Sequence, residues 1–505
     1  MTPGLGPAFV RRYGAASLIA ALVLVGLALR LLDLTDPPFD FHPTRQLGSA
    51  IIARGMYYRS LPGAPEAVRR AAIEMWREAP VYEAPILETL VAATYRVLGG
   101  EHLWVARVYS SLFWISGVVP LLLIGRRLGM KAGAVGSVAF YLILPFGVRA
   151  SRSFQPDPWM SASLLFAVWA MLRWWGEPSW RRAALAGVMS GLTILIKPVG
   201  ALPVGGALAG LVLGGLGLRR AVRSTQLLGI GALAAIPAGV YYLAVIPGRS
   251  AGFVEFWVGS FGELLTTAAF YVRWVQEING VVGFSMLGLA LVGVVLLPAG
   301  GPRSLGLGLW GGYLAYAASF PYQIMTHDYY HLMLVPIAAL SLMPLAQIVW
   351  ERAAQERAVW RAAILCVLAF AVAVRAWQVR VDLLSEDFAG EAGGWRTIGE
   401  ALPKDGPILA LTHAYGFPLA YYGWTQVSLW PTAADQRVLD LAGHEAGELE
   451  SVFRSRTDGF RYFLVTDFNE LAQQPDVDRY LRDHFAVAAQ GDGYVLFDLS
   501  APKAP

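Results

Sequence analysis

Cysteine is all but absent from this chain of 505 residues: Cys366 is the only one, and it lies in an apolar run. A lone thiol makes no internal disulfide and no thiolate metal site, so any portion outside a membrane must fold without either. Charge of one sign is equally scarce, with 40 Lys and Arg against 36 Asp and Glu and a formal net charge of +4. That small excess gives no reason to invoke nucleic acid. The stretch after Arg380 has no glycine fingerprint for a nucleotide and no nucleophile elbow, and no repeat recurs along the chain.

What the chain has in abundance is apolar sequence, 56% of its residues being hydrophobic. Runs long enough to cross a hydrocarbon core of ~30 Å recur from Ala15 to Ala376, which excludes a soluble fold. About eleven spans are expected, each of roughly 17 to 25 residues. They are Ala15 to Leu32, Leu103 to Ile124, Ala132 to Val148, Pro158 to Leu172, Ala183 to Ile196, Gly200 to Leu218, Gln226 to Ile246, Val281 to Leu297, Leu305 to Phe320, His331 to Val349 and Ala358 to Arg375. The fifth and sixth are short enough to form one broken hairpin. The first reads as a retained span, because no small-residue cleavage site precedes the charged loop that follows it.

Basic residues orient the threading, since short cytoplasmic loops collect Lys and Arg. Arg11 and Arg12, Arg126, Arg127 and Lys131, Arg181 and Arg182, Arg219, Arg220 and Arg223, Arg303, and Arg352, Arg357 and Arg361 all fall on one side. The expected location is therefore the cytoplasmic (inner) membrane, multi-pass, with a cytoplasmic N-terminus. The opposite face receives the first loop 33–102, the segment Arg149 to Asp157, the turn at Lys197, the loop Pro247 to Gly280, the stretch Met325 to His331, and everything after Arg380. All seven histidines lie there. Residues 1–379 are thus expected to form a transmembrane domain, and residues 380–505 an extracytoplasmic α/β domain.

Against the trend, Arg45, Arg54, Arg149, Arg152 and Lys197 fall on the outward side near span ends. A cation there needs a partner or water. An anionic ligand is one explanation; snorkelling to headgroups, or pairing with Asp33, Asp36, Glu83 or Asp157, is the other. The densest polar cluster is DPPFDFHPTRQ, Asp36 to Gln46, which emerges directly from the first span. Behind it, Gln46 to Arg59 and Glu66 to Arg77 carry apolar residues at helical spacing with arginines opposite, and Tyr82 to Gly100 reads as a short helix closed by glycines.

In the tail, apolar runs shorten to strand length at Ile408 to Ala414, Tyr462 to Phe468 and Tyr494 to Leu499. Helical patterns occupy Gly394 to Leu402, Glu445 to Arg454 and Val477 to His484. The strands look buried on both faces, which predicts a mostly parallel sheet covered by helices. Thr412 and His413, ending a strand, are a minor site candidate for which a structural role is the alternative.

An acidic first outward loop of the form PPF-D-HP-RQ, an AR-containing amphipathic helix, an E-P helix, an R-PD element, a KP turn and a late HDYYHL-L-P span together resemble the polytopic GT-C glycosyltransferases of the protein O-mannosyltransferase and aminoarabinose-transferase type. The resemblance covers Ala15 to about Val349. It implies transfer of a sugar from a polyprenyl-phosphate donor to a glycan, lipid or protein acceptor at the outer face of the bilayer. By the same resemblance Asp40 is the general base, Asp157 matches the second acid of the family, and Tyr330 matches its late-span tyrosine. The family commonly has an adjacent acidic pair where this chain has Asp40, Phe41 and His42, so His42 and Asp36 remain alternatives for the base; for Asp36 the competing role is a cap before Pro37, and for Asp157 a helix cap before Pro158.

Such chemistry needs a carboxylate for the acceptor hydroxyl and cations for the departing phosphate. Arg45, Arg152 and Lys197 are the phosphate candidates, since arginine grips phosphate oxygens bidentately and lysine supplies a point charge. Gln46, Glu83, Arg149, His327 and Tyr329 complete the candidate substrate-binding set with Tyr330. No cofactor is otherwise implied, but Glu83, His327, Asp328 and His331 form a candidate set for a divalent ion, whose oxygens and imidazoles suit Zn, Mn or Mg. A transporter or flippase for a lipid-linked or anionic substrate is the competing class. Its signature is ionisable residues or broken helices at mid-membrane and two similar halves, whereas the polar cluster here is one-sided. A noncatalytic binding protein is a third reading, distinguished by tolerance of Asp40→Asn.

Overall fold

A computed structural model describes residues 7–80, 82–443 and 448–502. Glu445, the first residue of one predicted tail helix, lies outside the described residues; the helix itself runs Leu449–Thr457. The chain divides into two compact units, the first comprising Met1–Leu34, Val81–Ile86 and Trp104–Ser385, the second Thr35–Pro80, Leu87–Leu103 and Glu386–Pro505.

The first unit is helical. Among the described residues five helices are long and apolar enough to cross a membrane: Trp104–Arg127, Pro198–Leu216, Thr225–Val245, Asp328–Gln355 and Ala358–Ala401, the last belonging to the first unit through its apolar part Ala358–Leu384. Gly14–Arg30 and Lys131–Ile143 are shorter apolar helices. The outward loop expected from Pro247 to Gly280 is instead helical, in segments Pro247–Gly259, Gly262–Thr266 and Ala268–Val281. The last of these meets Phe284–Leu296 at a 91° bend, with Gly283 at φ 80 supplying the left-handed backbone the corner requires.

Glycines let two spans approach to backbone contact. A Cβ on Gly206 would stand 2.2 Å from the carbonyl oxygen of Gly308, and one on Gly312 would stand 2.4 Å from that of Leu202. Gly206 and Gly210 face Gly308 and Gly312, so each helix presents a pair of glycines four residues apart. Where lipid is as apolar as leucine, this small-residue packing is a main source of helix association.

The second unit joins the first-loop helices to the tail. Helices Pro43–Arg59, Glu66–Glu78 and most of Ile86–Leu98 belong with a five-stranded sheet of order β2-β1-β3-β5-β4, where β1 is Ile408–Leu411, β2 Ser428–Leu429, β3 Tyr462–Val465, β4 Phe485–Gly491 and β5 Tyr494–Pro502. Alternate residues of the central strands feed two cores. Ile408, Ala410, Leu464 and Leu496 pack with Trp395, Ile398 and Leu419 on one face; Leu409, Leu411, Phe463 and Phe497 pack with Trp430, Phe453 and Leu481 on the other.

The sheet is mixed rather than mostly parallel: β1 runs parallel to β2 and β3, but β5 runs antiparallel to β3 and β4. Strand β4 is half exposed and alanine-rich, and alanine favours strands poorly, so its short apolar run carries no strand pattern. Its signal was the turn Asp492-Gly493, with Gly493 at φ 77, which joins it to β5 as a hairpin.

Candidate functional site

In the membrane unit the polar groups gather where helices break. Lys197 precedes Pro198, and the residue before a proline is pushed out of the helical region. Lys197 accordingly takes φ −152 and ψ 121 between helix Trp180–Ile196 and the turn Pro198–Gly200. Its ammonium is buried and lies 2.6 Å from Oδ1 of Asp157, the first residue of helix Asp157–Gly176. The same Nζ stands 5.3 Å from the ring centroid of Tyr329 and 5.1 Å from that of Tyr330, both on the turn Asp328–His331. Two aromatic faces and one carboxylate thus hold a buried cation.

The carboxylate is only half used. Among the described residues Oδ2 of Asp157 is buried without a hydrogen-bond partner, and so are both amide atoms of Gln155 and the hydroxyl of Tyr316. Tyr316 stacks on Tyr330 at 6.2 Å, which brings it into the same cluster. A buried polar atom costs free energy unless something satisfies it, so Asp157 Oδ2 and the Tyr316 hydroxyl, in the cluster of a buried cation, are positions suited to meet polar groups of a ligand.

Arg152 is tied to the chain as it leaves the first span. It is 2% exposed, and its Nη2 donates to the backbone carbonyl of Asp33 at 2.8 Å, as does Nη1 of the equally buried Arg107 at 2.9 Å. Asp33 is left-handed at φ 47, which turns the chain as it leaves the first span. Arg149 is half-buried one turn earlier, on Pro145–Ala150. Glu83 accepts a long hydrogen bond from Tyr241 at its backbone carbonyl, 3.4 Å.

The divalent-ion set does not assemble. Among the described residues no three His, Cys, Asp or Glu side chains come together to hold a metal ion. His331 fails for a local reason: its Nε2 meets the carbonyl of Ile324 at 2.9 Å and its Nδ1 meets the hydroxyl of Tyr313 at 2.6 Å. A carbonyl only accepts, so Nε2 carries the proton and Nδ1 accepts from Tyr313, which in turn accepts from Trp274 Nε1 at 3.1 Å. The fully buried His331 is a hydrogen-bonded core residue tying three segments together. His327 faces Thr326, 2.7 Å from its hydroxyl, and packs edge-on to Tyr329, while Asp328 opens the turn.

The second unit holds the acidic loop. Gln46, expected to bind substrate, is 1% exposed and its amide donates to Phe41 O at 2.6 Å and, at 3.4 Å, to Pro38 O and Asp40 Oδ1. It therefore shapes the loop that carries Asp40. Asp36 is engaged by the tail: its Oδ1 accepts from the backbone N–H of Phe388 at 2.9 Å. Phe39 packs against Phe388 and Tyr422 at 5.9 and 5.8 Å. His42, left-handed at φ 46, precedes helix Pro43–Arg59, and Arg45 occupies that helix's first turn. Asp40, His42 and Arg45 are all half-buried.

Arg54, further along the helix, is clamped rather than facing a ligand. It lies 3.8 Å from the Tyr421 ring and 4.2 Å from the Trp424 ring, and it donates to Glu101 at 2.9 Å and to Tyr421 O at 2.6 Å. Burial disfavours its charge, but Tyr421 and Glu101 more than offset this and hold the guanidinium above its ordinary range. Arg54→Ala is expected to destabilise the protein by about 3 kcal/mol, because Glu101 loses its partner in a largely desolvated place. Thermal unfolding measures the loss, and Arg54→Lys should restore little of it, since an ammonium lacks the planar fork that meets both rings and both acceptors.

Sequence reasoning passed over Arg107, Gln155 and Tyr316. For Arg107 a signal existed, an arginine inside the predicted span Leu103 to Ile124, which by itself marks a functional position.

The family described as dolichyl-phosphate-mannose-protein mannosyltransferase matches residues 83–242. No curated protein matches the chain in sequence. Among solved structures, ArnT from Cupriavidus metallidurans bound to undecaprenyl phosphate is similar with a TM-score of 0.60 at 15% identity, over 96% of this chain and 98% of that one. Its apo state gives 0.59 at 16% identity over the same shares. The Archaeoglobus fulgidus oligosaccharyltransferase in complex with Zn and sulfate gives 0.57 at 13% identity, over 89% of this chain and 67% of that one.

Proposed function

With the GT-C fold as premise, the chain resembling that group over nearly its whole length, we propose that it is a membrane glycosyltransferase moving a sugar from a polyprenyl-phosphate-linked donor to an acceptor at the outer face of the cytoplasmic membrane. The observation carrying this is the buried cation Lys197, held by Asp157 and two tyrosine faces among unsatisfied polar atoms. In the proposed topology of about eleven spans the N-terminus is cytoplasmic and residues 380–505 are extracytoplasmic. The undecaprenyl phosphate bound by the ArnT structure supports a carrier of the same chemical class.

In the proposed reaction the acceptor hydroxyl loses its proton to a carboxylate as its oxygen bonds to the anomeric carbon, and the bond from that carbon to the phosphate oxygen breaks. Asp40 is the base and His42 its neighbour in the loop. The electron pair leaves on polyprenyl phosphate, whose new charge Lys197, Arg152, Arg149 and Arg45 would stabilise, with Tyr329 and Tyr330 alongside. Glu83 and His327 remain proposed substrate contacts.

Native mass spectrometry of the purified protein with undecaprenyl phosphate tests the carrier. One bound lipid, displaced by inorganic pyrophosphate far less readily than by a second polyprenyl phosphate, is the expected result. Equal retention of undecaprenol and undecaprenyl phosphate would remove the phosphate site.

A further inference from the structure

The tail domain has an unassigned switch point whose place follows from topology. β1 leads through helix Phe417–Tyr422 to β2 on one side, and β2 leads through helices Ala433–Leu441 and Leu449–Thr457 to β3 on the other. The connections diverge between β1 and β3, and in open α/β sheets ligands bind at the carboxyl ends of the strands at such a switch point. The residues that follow β1 and β3 there are Thr412–His413 and Thr466–Asp467.

These residues engage across the divide. Thr466 donates its hydroxyl proton to Thr412 at 2.7 Å in a buried pair at the switch point. His413 Nδ1 stands 2.9 Å from Asp467 Oδ2, while the other Asp467 oxygen accepts from Glu470 N–H and caps the next helix. The imidazole is half exposed, and its Nε2 makes no hydrogen bond to the described residues. Trp395 meets its ring edge-on at 6.2 Å.

The loop after His413 is strained. Ala414 at φ 46, Tyr415 at φ 55 and Gly416 at φ 73 are consecutive left-handed residues, and the first two carry side chains that disfavour that region. Non-glycine strain of this kind persists only where surroundings enforce it, and it concentrates at ligand sites. Its consequence here is to present the Tyr415 ring, 49% exposed, with its hydroxyl donating to Asp435 at 2.9 Å. Phe468, beside Asp467, is 44% exposed.

Carboxylates at Asp435 and Asp467 disfavour an anion, and no three metal-ligand side chains gather among the described residues. A polyhydroxylated ring suits what remains: aromatic faces for its C–H surface, carboxylates to accept from its hydroxyls and an imidazole nitrogen to complete the set. We propose that this switch point binds a carbohydrate group of the acceptor, an inference that rests on the glycosyl-transfer reading and adds a second sugar-recognition site to it.

Saturation-transfer NMR on the full-length protein in a detergent without a sugar headgroup tests this, with the methyl glycosides of mannose, glucose, galactose, N-acetylglucosamine and arabinose as probes. At least one glycoside should bind the wild type, and His413→Ala and Asp467→Ala should each weaken it by about tenfold or more, as loss of one or two polar contacts implies. Tyr415→Gly should also lose the signal while the melting temperature stays or rises, because glycine removes the left-handed strain along with the ring. That combination separates a ligand site from a merely structural loop. No signal from any glycoside, or a signal that survives in all three variants, overturns the site. Turnover of polyprenyl-phosphate sugars is assayed separately, so that intact turnover without glycoside binding removes this site alone, and glycoside binding without turnover removes the transferase reading.

Discussion

Lys197→Met is expected to abolish binding of polyprenyl phosphate and to destabilise the protein by about 3 to 5 kcal/mol, the range for breaking a buried ion pair from one side. The cost arises on the other partner. Asp157 is 4% exposed in its side chain, one of its oxygens already lacks a hydrogen-bond partner among the described residues, and the substitution would strip the second. The double variant Lys197→Met with Asp157→Leu removes both charges and should recover most of the stability, since apolar replacement of a whole buried pair is often neutral. It should not recover binding. Thermal unfolding and native mass spectrometry on the wild type and these two variants read the two effects separately, and recovery of both together would make the pair purely structural.

Asp40→Asn is expected to lower turnover by about 10²- to 10⁴-fold, the range for losing a positioned general base, while donor binding stays within a small factor. Asparagine keeps the shape and the oxygen that accepts from Gln46, so the loop around Phe41 should hold. Gln46→Ala provides the contrast. It leaves the carboxylate but removes the amide that reaches Phe41, Pro38 and Asp40, so it should reduce turnover less and leave the pH profile of the residual rate unshifted. Single-turnover kinetics on saturating donor distinguishes the two, and full activity in Asp40→Asn would move the base to another residue.

The parts of this molecule that were legible from sequence are those set by local rules. Long apolar runs announce a membrane protein whatever they pack against, and Lys197 before Pro198 announces a broken helix with a cation at the break. The unbroken apolar runs of β1 and β3 reported two buried faces for the same reason. Long-range pairing was not legible. Arg54 looked like one more outward cation seeking an anion, whereas its partners include Tyr421, 367 residues away, and Trp424. His331 looked like a metal ligand because a histidine near an aspartate in an outward turn carries that pattern, while its actual partners, Tyr313 and the carbonyl of Ile324, come from helices whose packing no spacing rule reveals. Asp36 carries the local signal of a turn before Pro37, but the group its carboxylate accepts from, Phe388 N–H, lies across most of the chain. Tyr316 was hidden by being an aromatic residue in an apolar helix, where most such residues are core.

The central claim is tested most directly by giving the purified protein a panel of polyprenyl phosphates carrying radiolabelled sugars, together with a crude envelope extract as acceptor, and following the label. Label should leave one carrier, appear in a non-carrier product with equimolar free polyprenyl phosphate, and stay on the carrier when Asp40→Asn replaces the wild type. Label that stays on every carrier with the wild type, but crosses the membrane when the protein is placed in vesicles, would contradict sugar transfer and assign the fold to transport.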